Sequence, residues 1–380
     1  MQRHTISPRA HWQRRVEDLG FLWHTAGGEA YWSEDACYSF TEAEVDRIAQ
    51  ACEELHRMFR AAGEHIVATR RFGEFGIPDA YAPLILRAWA DQPPALDYGR
   101  FDLGIGQDGA IKLFEFNCDT PTSLVEASVV QWFWKEDVFP GLDQFNRIHE
   151  ALVERWQAIA PRLPGGHAHF AHVPDQAGED TLTTAYMMDI AGEAGVAATR
   201  LTMREIGWRS GPRAGFVDMD EKPITAIWKL YPWEWLAAEP FGRHIAEDPA
   251  GTVWLEPVWK MLWSNKAILP VLWELFPDHP LLLWAGTQPP AAGDWVRKPR
   301  LGREGGNVVI MQNGAPLDAS GGPYDGDAIY QAFLDLPGFG GAYPVIGAWV
   351  VAGEAVGMGV REGGRITTNR SRFTPHVIKG

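Results

Sequence analysis

Three cysteines, Cys37, Cys52 and Cys118, are all that 380 residues contain. An odd count without zinc-type spacing excludes a disulfide framework and a metal knuckle. Cys52 falls on the apolar side of a predicted helix, and Cys118 has no histidine near it in sequence, so both read as packing residues rather than nucleophiles. The chain has no Gly-Lys-Ser/Thr phosphate loop. It has no basic excess either: 34 Lys and Arg against 49 Asp and Glu give a net charge of −15. That balance excludes a broad nucleic-acid footprint and suits a cationic substrate such as a polyamine. Long apolar runs are missing. The tryptophan-rich stretch 252–285 is broken by Glu256, Lys260, Lys266, Glu274, Asp278 and prolines, so it cannot span a bilayer. No apolar run follows the first residues, which predicts no signal peptide and a cytoplasmic protein. The 12 histidines show no metal-ligand spacing, so a zinc site at His167, His169 and His172 is not expected.

What the chain does have is apolar mass, with 46% hydrophobic residues and 18 tryptophans, enough for two or three lobes with their own cores. Thr41 and Glu44 have capping-box spacing, and Val45, Ile48, Ala49, Cys52, Leu55 and Phe59 follow at helical intervals. A helix is expected there, ending near Gly63. Further helices are expected over 77–89, 124–134, 144–159, 181–194 and 264–275. Strands are expected over 169–173 and 225–230, and from Trp295 onward the pattern is strand-rich with glycine-bearing turns at 321–322 and 338–341. No linker separates independent domains, so the fold class is α/β (α+β) with interleaved lobes.

Two segments carry chemistry. In the first, alternation from Ile111 through Phe114 and Phe116 reads as a half-buried strand, and Glu115 and Asn117 share its face. Upstream, Arg100 and Asp102 lie on a second strand. Between the two, Gly104-Ile105-Gly106-Gln107-Asp108-Gly109 matches a dinucleotide fingerprint by letters, but a strand follows it, not a helix, so a hairpin turn is the better reading. Such a hairpin places Asp102 beside Glu115, and these oxygens with Asn117 suit Mg²⁺ holding a nucleotide's phosphates. In the second segment, a strand carrying Lys298 runs into the basic, glycine-bearing loop Gly302-Arg303-Glu304-Gly305-Gly306-Asn307, which reads as a clamp over phosphates, with a solvated basic hairpin as its rival. Ser264 reads as the cap of the 264–275 helix. Lys266 in its first turn opposes the helix dipole, a local misfit that suits a phosphate or adenine contact. The segment from Trp228 to Trp235 reads as a structural corner, and Glu179-Asp180 as an acidic helix start.

Arg100-Phe101-Asp102, Glu115-Phe116-Asn117-Cys118-Asp119, Glu256-Pro257-Val258-Trp259, Ser264-Asn265-Lys266-Ala267-Ile268-Leu269-Pro270 and the stretch from Lys298 to Asn307 together resemble the synthetase domain of the glutathionylspermidine synthase family. The likeness runs from about residue 20 to the C-terminus, with the motifs in family order. It implies an ATP-grasp-like fold with a pre-ATP-grasp lobe, one catalytic unit over residues 10–378, and a ligase that joins a carboxylate to an amine using ATP and Mg²⁺. By position, Asp102, Glu115 and Asn117 correspond to the magnesium ligands, and Arg100 to the arginine that stabilises the transferring phosphoryl group. Lys266, Lys298, Gly302, Gly305, Gly306 and Arg361 fall at the nucleotide. Thr120, Thr122, Glu179 and Asp180 fall at the substrates, a small-molecule acid and an amine. Two departures stand out. The amidase domain of the bifunctional members has no counterpart, and Leu230 and Trp235 stand where threonines are expected near the peptide site. The expected activity is therefore amide ligation through an acyl phosphate, on a peptide acid and an amine or polyamine. A kinase on the same fold and a non-catalytic ATP-binding protein are the alternatives.

Overall fold

The computed structural model describes residues 1–248 and 251–379. Its centre is a five-stranded antiparallel sheet in the order Arg372–Thr374, Glu354–Gly363, Tyr343–Val351, Tyr98–Ile105, Ile111–Asn117. Strands from the first third of the chain thus pair with strands from its end. A parallel four-stranded sheet, Val253–Leu255, Ala226–Leu230, His167–His172, Ala197–Thr202, forms a second layer. The helix Glu179–Glu193 packs on it, and the helix Ile148–Ile159 lies between that helix and the central sheet. A third sheet, antiparallel, orders Ala285–Gly286, Ala328–Ala332, Trp295–Pro299, Val309–Gln312, Ala315–Ala319. No described helix is long and apolar enough to cross a membrane.

The helix Glu42–Thr69 lies against the central sheet, and Thr41 and Glu44 form the expected capping box. It runs six residues past Gly63, because Gly63 packs rather than terminates. A Cβ at that position would meet Trp89 at 2.5 Å and the Trp263 ring nitrogen at 2.7 Å, so only hydrogen lets the two indoles close on the helix. Gly63→Ala is therefore expected to destabilise the fold by about 1–3 kcal/mol although alanine is the better helix former. Chemical denaturation checks this, and an unchanged midpoint would refute the packing argument.

Other elements shift from the expected bounds. The 77–89 helix is Ala82–Asp91, because Pro78 holds the preceding residues in a turn. The 124–134 segment is a π-helical turn, Glu126–Val130, followed by the helix Gln131–Val138. The 144–159 helix begins only at Ile148. A separate short helix, Lys260–Trp263, ends before the 264–275 helix, which begins only at Ile268, as Ile268–Leu275. Ser264 ends the first rather than capping the second, and its hydroxyl accepts from the Cys118 N–H at 3.3 Å. Lys266 precedes the second helix instead of opposing its dipole from the first turn.

The cysteines are free and buried. Burial pushes the Cys118 thiol up to about 12, which agrees with a packing role. Seven tryptophans, among them Trp228, Trp233 and Trp263, are fully buried, as expected for core packing.

Candidate active site

The hairpin is present. Gly106 N–H donates to the Ala110 carbonyl across the turn, and Arg100 pairs with Asn117 and Asp102 with Glu115 in the ladder. Alternation sends Phe101 and Phe116 inward, where they stack at 3.8 Å under Phe59. It sends Arg100, Asp102, Glu115 and Asn117 into a cleft between the central and third sheets. The strand is not regular throughout. A bulge follows Asp102, so Phe114 does not share the inward face of Phe116 but opens into the cleft.

Arg100 is buried, at 7% exposure, and tightly held. Its Nε and Nη2 donate to the two Asp102 oxygens at 2.7 and 3.0 Å, and Nη1 donates to the Thr122 carbonyl at 2.6 Å. The Asn117 amide donates to Asp102 Oδ2 at 3.3 Å and Glu115 Oε1 at 3.2 Å, so the three candidate ligands meet at one point. Lys266 lies 2.9 Å from Glu115 Oε2 and donates to the Gly302 carbonyl at 2.7 Å, tying the clamp loop to the floor of the cleft. Burial would raise the Glu115 carboxyl, but Lys266 and Lys298 outweigh it and hold it down at about 2. Glu115 is thus an anion at any physiological pH.

Lys298 enters from the facing sheet. Its Nζ donates to Gln331 Oε1 at 2.6 Å and to the Phe114 carbonyl at 3.3 Å. Burial pushes its ammonium down to about 8 against the pull of Glu115. Gln331 is itself 2% exposed and donates to the Leu113 carbonyl at 3.0 Å, so it bridges the lysine to the strand Ile111–Asn117. Beyond Lys298 the cleft becomes apolar, lined by Val296, Val308, Ile310, Phe333, Leu334 and Leu336. A polar, charged end and an apolar end within one cleft suit a molecule with phosphates and a base.

The loop between Pro299 and Val309 lies across this cleft with Gly302, Gly305 and Gly306 on its inner side. Gly305 is left-handed (φ 66°) and touches the Thr367 carbonyl so closely that no Cβ fits. Arg303, not among the expected site residues, reaches the opposite wall, where its partner Glu234 stands. Both lie in segments marked out by composition, but nothing local in sequence pairs them.

Thr120 and Thr122 line the cleft, and so does Arg361, whose guanidinium lies 5.7 Å over the Tyr31 ring. Glu179 and Asp180 do not line it. They open the helix Glu179–Glu193 behind Arg361, beside Glu126, which accepts from Trp23 and Tyr31 at 3.0 Å each. Burial and Glu126 push Glu179 up to about 8, and burial and Asp175 push Asp180 up to about 6. The segment from Trp228 to Trp235 is the corner expected. Leu230 is buried there, while Trp235 is 45% exposed.

The donor set fits a hard divalent cation. Among the described residues, no three His, Cys, Asp or Glu side chains group as a metal cage. An ion at Asp102, Glu115 and Asn117 would therefore rest on two carboxylates, one amide and oxygens from outside the protein, the pattern of Mg²⁺ bound with phosphates.

A cleft of this kind between two antiparallel sheets, closed by a glycine-bearing loop, belongs to a ligase of the ATP-grasp-like type. The chain is a member of the glutathionylspermidine synthase preATP-grasp family, whose model matches residues 3–379. It is 39% identical to a Haemophilus influenzae protein named "Putative acid--amine ligase", over 96% of each chain. It is 31% identical to trypanothione synthetase of Crithidia fasciculata, over 83% of this chain and 52% of that enzyme. The Escherichia coli bifunctional glutathionylspermidine synthetase/amidase is 26% identical over 85% of this chain and 56% of that enzyme. The chain thus spans nearly all of the first relative and about half of the others. A glutathione synthetase-like effector from Globodera pallida shares the fold, with a TM-score of 0.58 over 90% of this chain and 89% of that one, at 11% identity.

Proposed function

We propose that the protein forms an amide bond between a small-molecule acid and an amine, driven by ATP through an acyl phosphate. The observation that carries this reading is the convergence of Arg100, Asp102, Glu115 and Asn117 from one hairpin on Lys266 and Lys298 across a single cleft. Lys298, Lys266 and the loop's N–H groups hold the phosphates. Asp102, Glu115 and Asn117 would hold Mg²⁺, which supplies charge neutralisation at the phosphate oxygens when bound. The substrate carboxylate attacks the γ-phosphorus, ADP leaves, and Arg100 neutralises the charge that spreads over the moving phosphoryl group. The amine then attacks the acyl carbon and inorganic phosphate leaves. The protein contributes position and electrostatics, and the closed loop keeps water from the intermediate.

The acid end lies near Thr120 and Thr122. Glu179 and Asp180, behind Arg361, suit the amine: burial and neighbouring carboxylates push both upward, and a cation entering there would relieve that repulsion. The test is coupled ADP release across peptide acids crossed with polyamines and amino acids. ADP formation that depends on an acid, with amide product only when an amine is present, is the expected result. A stable phosphorylated product without amine would instead make the protein a kinase.

Glutathione with spermidine is expected to turn over at least about tenfold more slowly than the best pair, because by the family resemblance Leu230 and Trp235 replace threonines near the peptide site, and a missing hydroxyl leaves a polar substrate group unpaired. Efficient formation of glutathionylspermidine would sink this specificity argument and leave the ligase assignment standing.

A further inference from the structure

Arg303 leaves the clamp loop between Gly302 and Gly305 and crosses to the opposite wall of the cleft. Its Nη1 donates to Thr120 Oγ1 at 3.1 Å, and its Nε and Nη2 donate to Glu234 Oε1 at 3.2 and 2.6 Å. The guanidinium lies 5.6 Å over the Trp235 ring. Thr120 and Glu234 come from segments far apart in sequence, yet they stand side by side, because Asp119, the residue before Thr120, binds the residue before Glu234. Asp119, 1% exposed, accepts from Lys229 Nζ at 2.7 Å and from the Trp233 N–H at 2.8 Å. Lys229 is fully buried and also donates to the Tyr231 carbonyl at 2.9 Å. Removing either partner of such a pair leaves an uncompensated buried charge, so the frame is rigid.

We propose that Thr120 and Glu234 form a catch for Arg303, with Glu234 the positioning residue that fixes the clamp loop over the cleft, and the Asp119–Lys229 pair the frame that presents both. Lys266 and Ser320 also hold the loop, through the Gly302 and Gly305 carbonyls, but the charge-assisted Arg303 pair is what joins it to the opposite wall. Neither Glu234 nor Lys229 has a part in the phosphate chemistry proposed above. The effect of the catch on turnover rests on the ligase reading, but the catch itself does not.

Hydrogen exchange of the full chain without nucleotide tests it. Glu234→Gln keeps the size of a partly exposed side chain and removes the charge, so the fold should survive. Exchange over residues 302–307 should rise by about tenfold or more, while the strand Trp295–Pro299 stays as protected as in the wild type. The reversed pair, Glu234→Arg with Arg303→Glu, should bring protection back. Equal exchange of the loop in wild type and Glu234→Gln would overturn the catch, as would loosening spread evenly over the strand and the loop. On a substrate pair found by the screen, Glu234→Gln should raise the ratio of ADP to amide severalfold, because an open loop admits water to the acyl phosphate. A wild-type protein that releases no ADP with any pair would refute the ligase reading, and the exchange data would still decide the catch.

Discussion

Arg100→Ala is expected to lower turnover about a thousandfold while changing Mg-ATP affinity by less than about tenfold. The reasoning starts from how the side chain is held. Three of its five N–H donors are committed, two to Asp102 and one to the Thr122 carbonyl, at distances between 2.6 and 3.0 Å. The remaining donors belong to a guanidinium that needs no reorganisation when charge moves. Interactions that strengthen only as the phosphoryl group transfers act on rate and not on ground-state binding. Arg100→Lys keeps the charge but loses the planar fork, so it should fall between wild type and alanine. Steady-state kinetics on a substrate pair from the screen, with a separate nucleotide titration, separates the two effects. Wild-type turnover in Arg100→Ala would remove Arg100 from the phosphoryl-transfer step.

The second large effect is expected at Lys298. Lys298→Met should weaken Mg-ATP binding on the order of a hundredfold, the scale of losing one buried charge partner. The pH dependence has a definite sign. Lys298 sits at about 8 without nucleotide, and phosphates would raise it. Above about pH 8, binding must therefore take up a proton, and affinity should fall by up to about tenfold per pH unit until the bound form also titrates. The wild-type profile should bend there, and the Lys298→Met profile should not. Parallel profiles in the two proteins would show that another group controls the dependence.

Parts of this molecule follow from local sequence. The capping box at Thr41 and Glu44 forms because its partners are three residues apart. The hairpin forms because strand periodicity brackets a glycine turn. Asp102 then reaches Glu115 and Asn117 through spacing alone. Local pattern is enough where the partners are close in the chain or share one ladder.

Other parts were decided only when distant segments met. Gly63 looked like a helix end, but the helix passes through it because Trp89 and Trp263 pack on its bare Cα. The bulge after Asp102 moved Phe114 to the cleft, where Lys298 lies 5.3 Å over its ring, and alternation alone cannot announce an extra residue. Ser264 ended one helix instead of starting the next. Gln331 on Lys298, Glu234 on Arg303 and Lys229 on Asp119 join residues 33, 69 and 110 positions apart, respectively. A buried polar group must find a partner, but which partner it finds depends on which walls the sheets bring together. The sequence alone therefore determined that Arg100, Asp102, Glu115 and Asn117 share one hairpin and that the basic loop follows Lys298. The tertiary structure decided how that loop is held shut, because its partners lie on the opposite wall of the cleft.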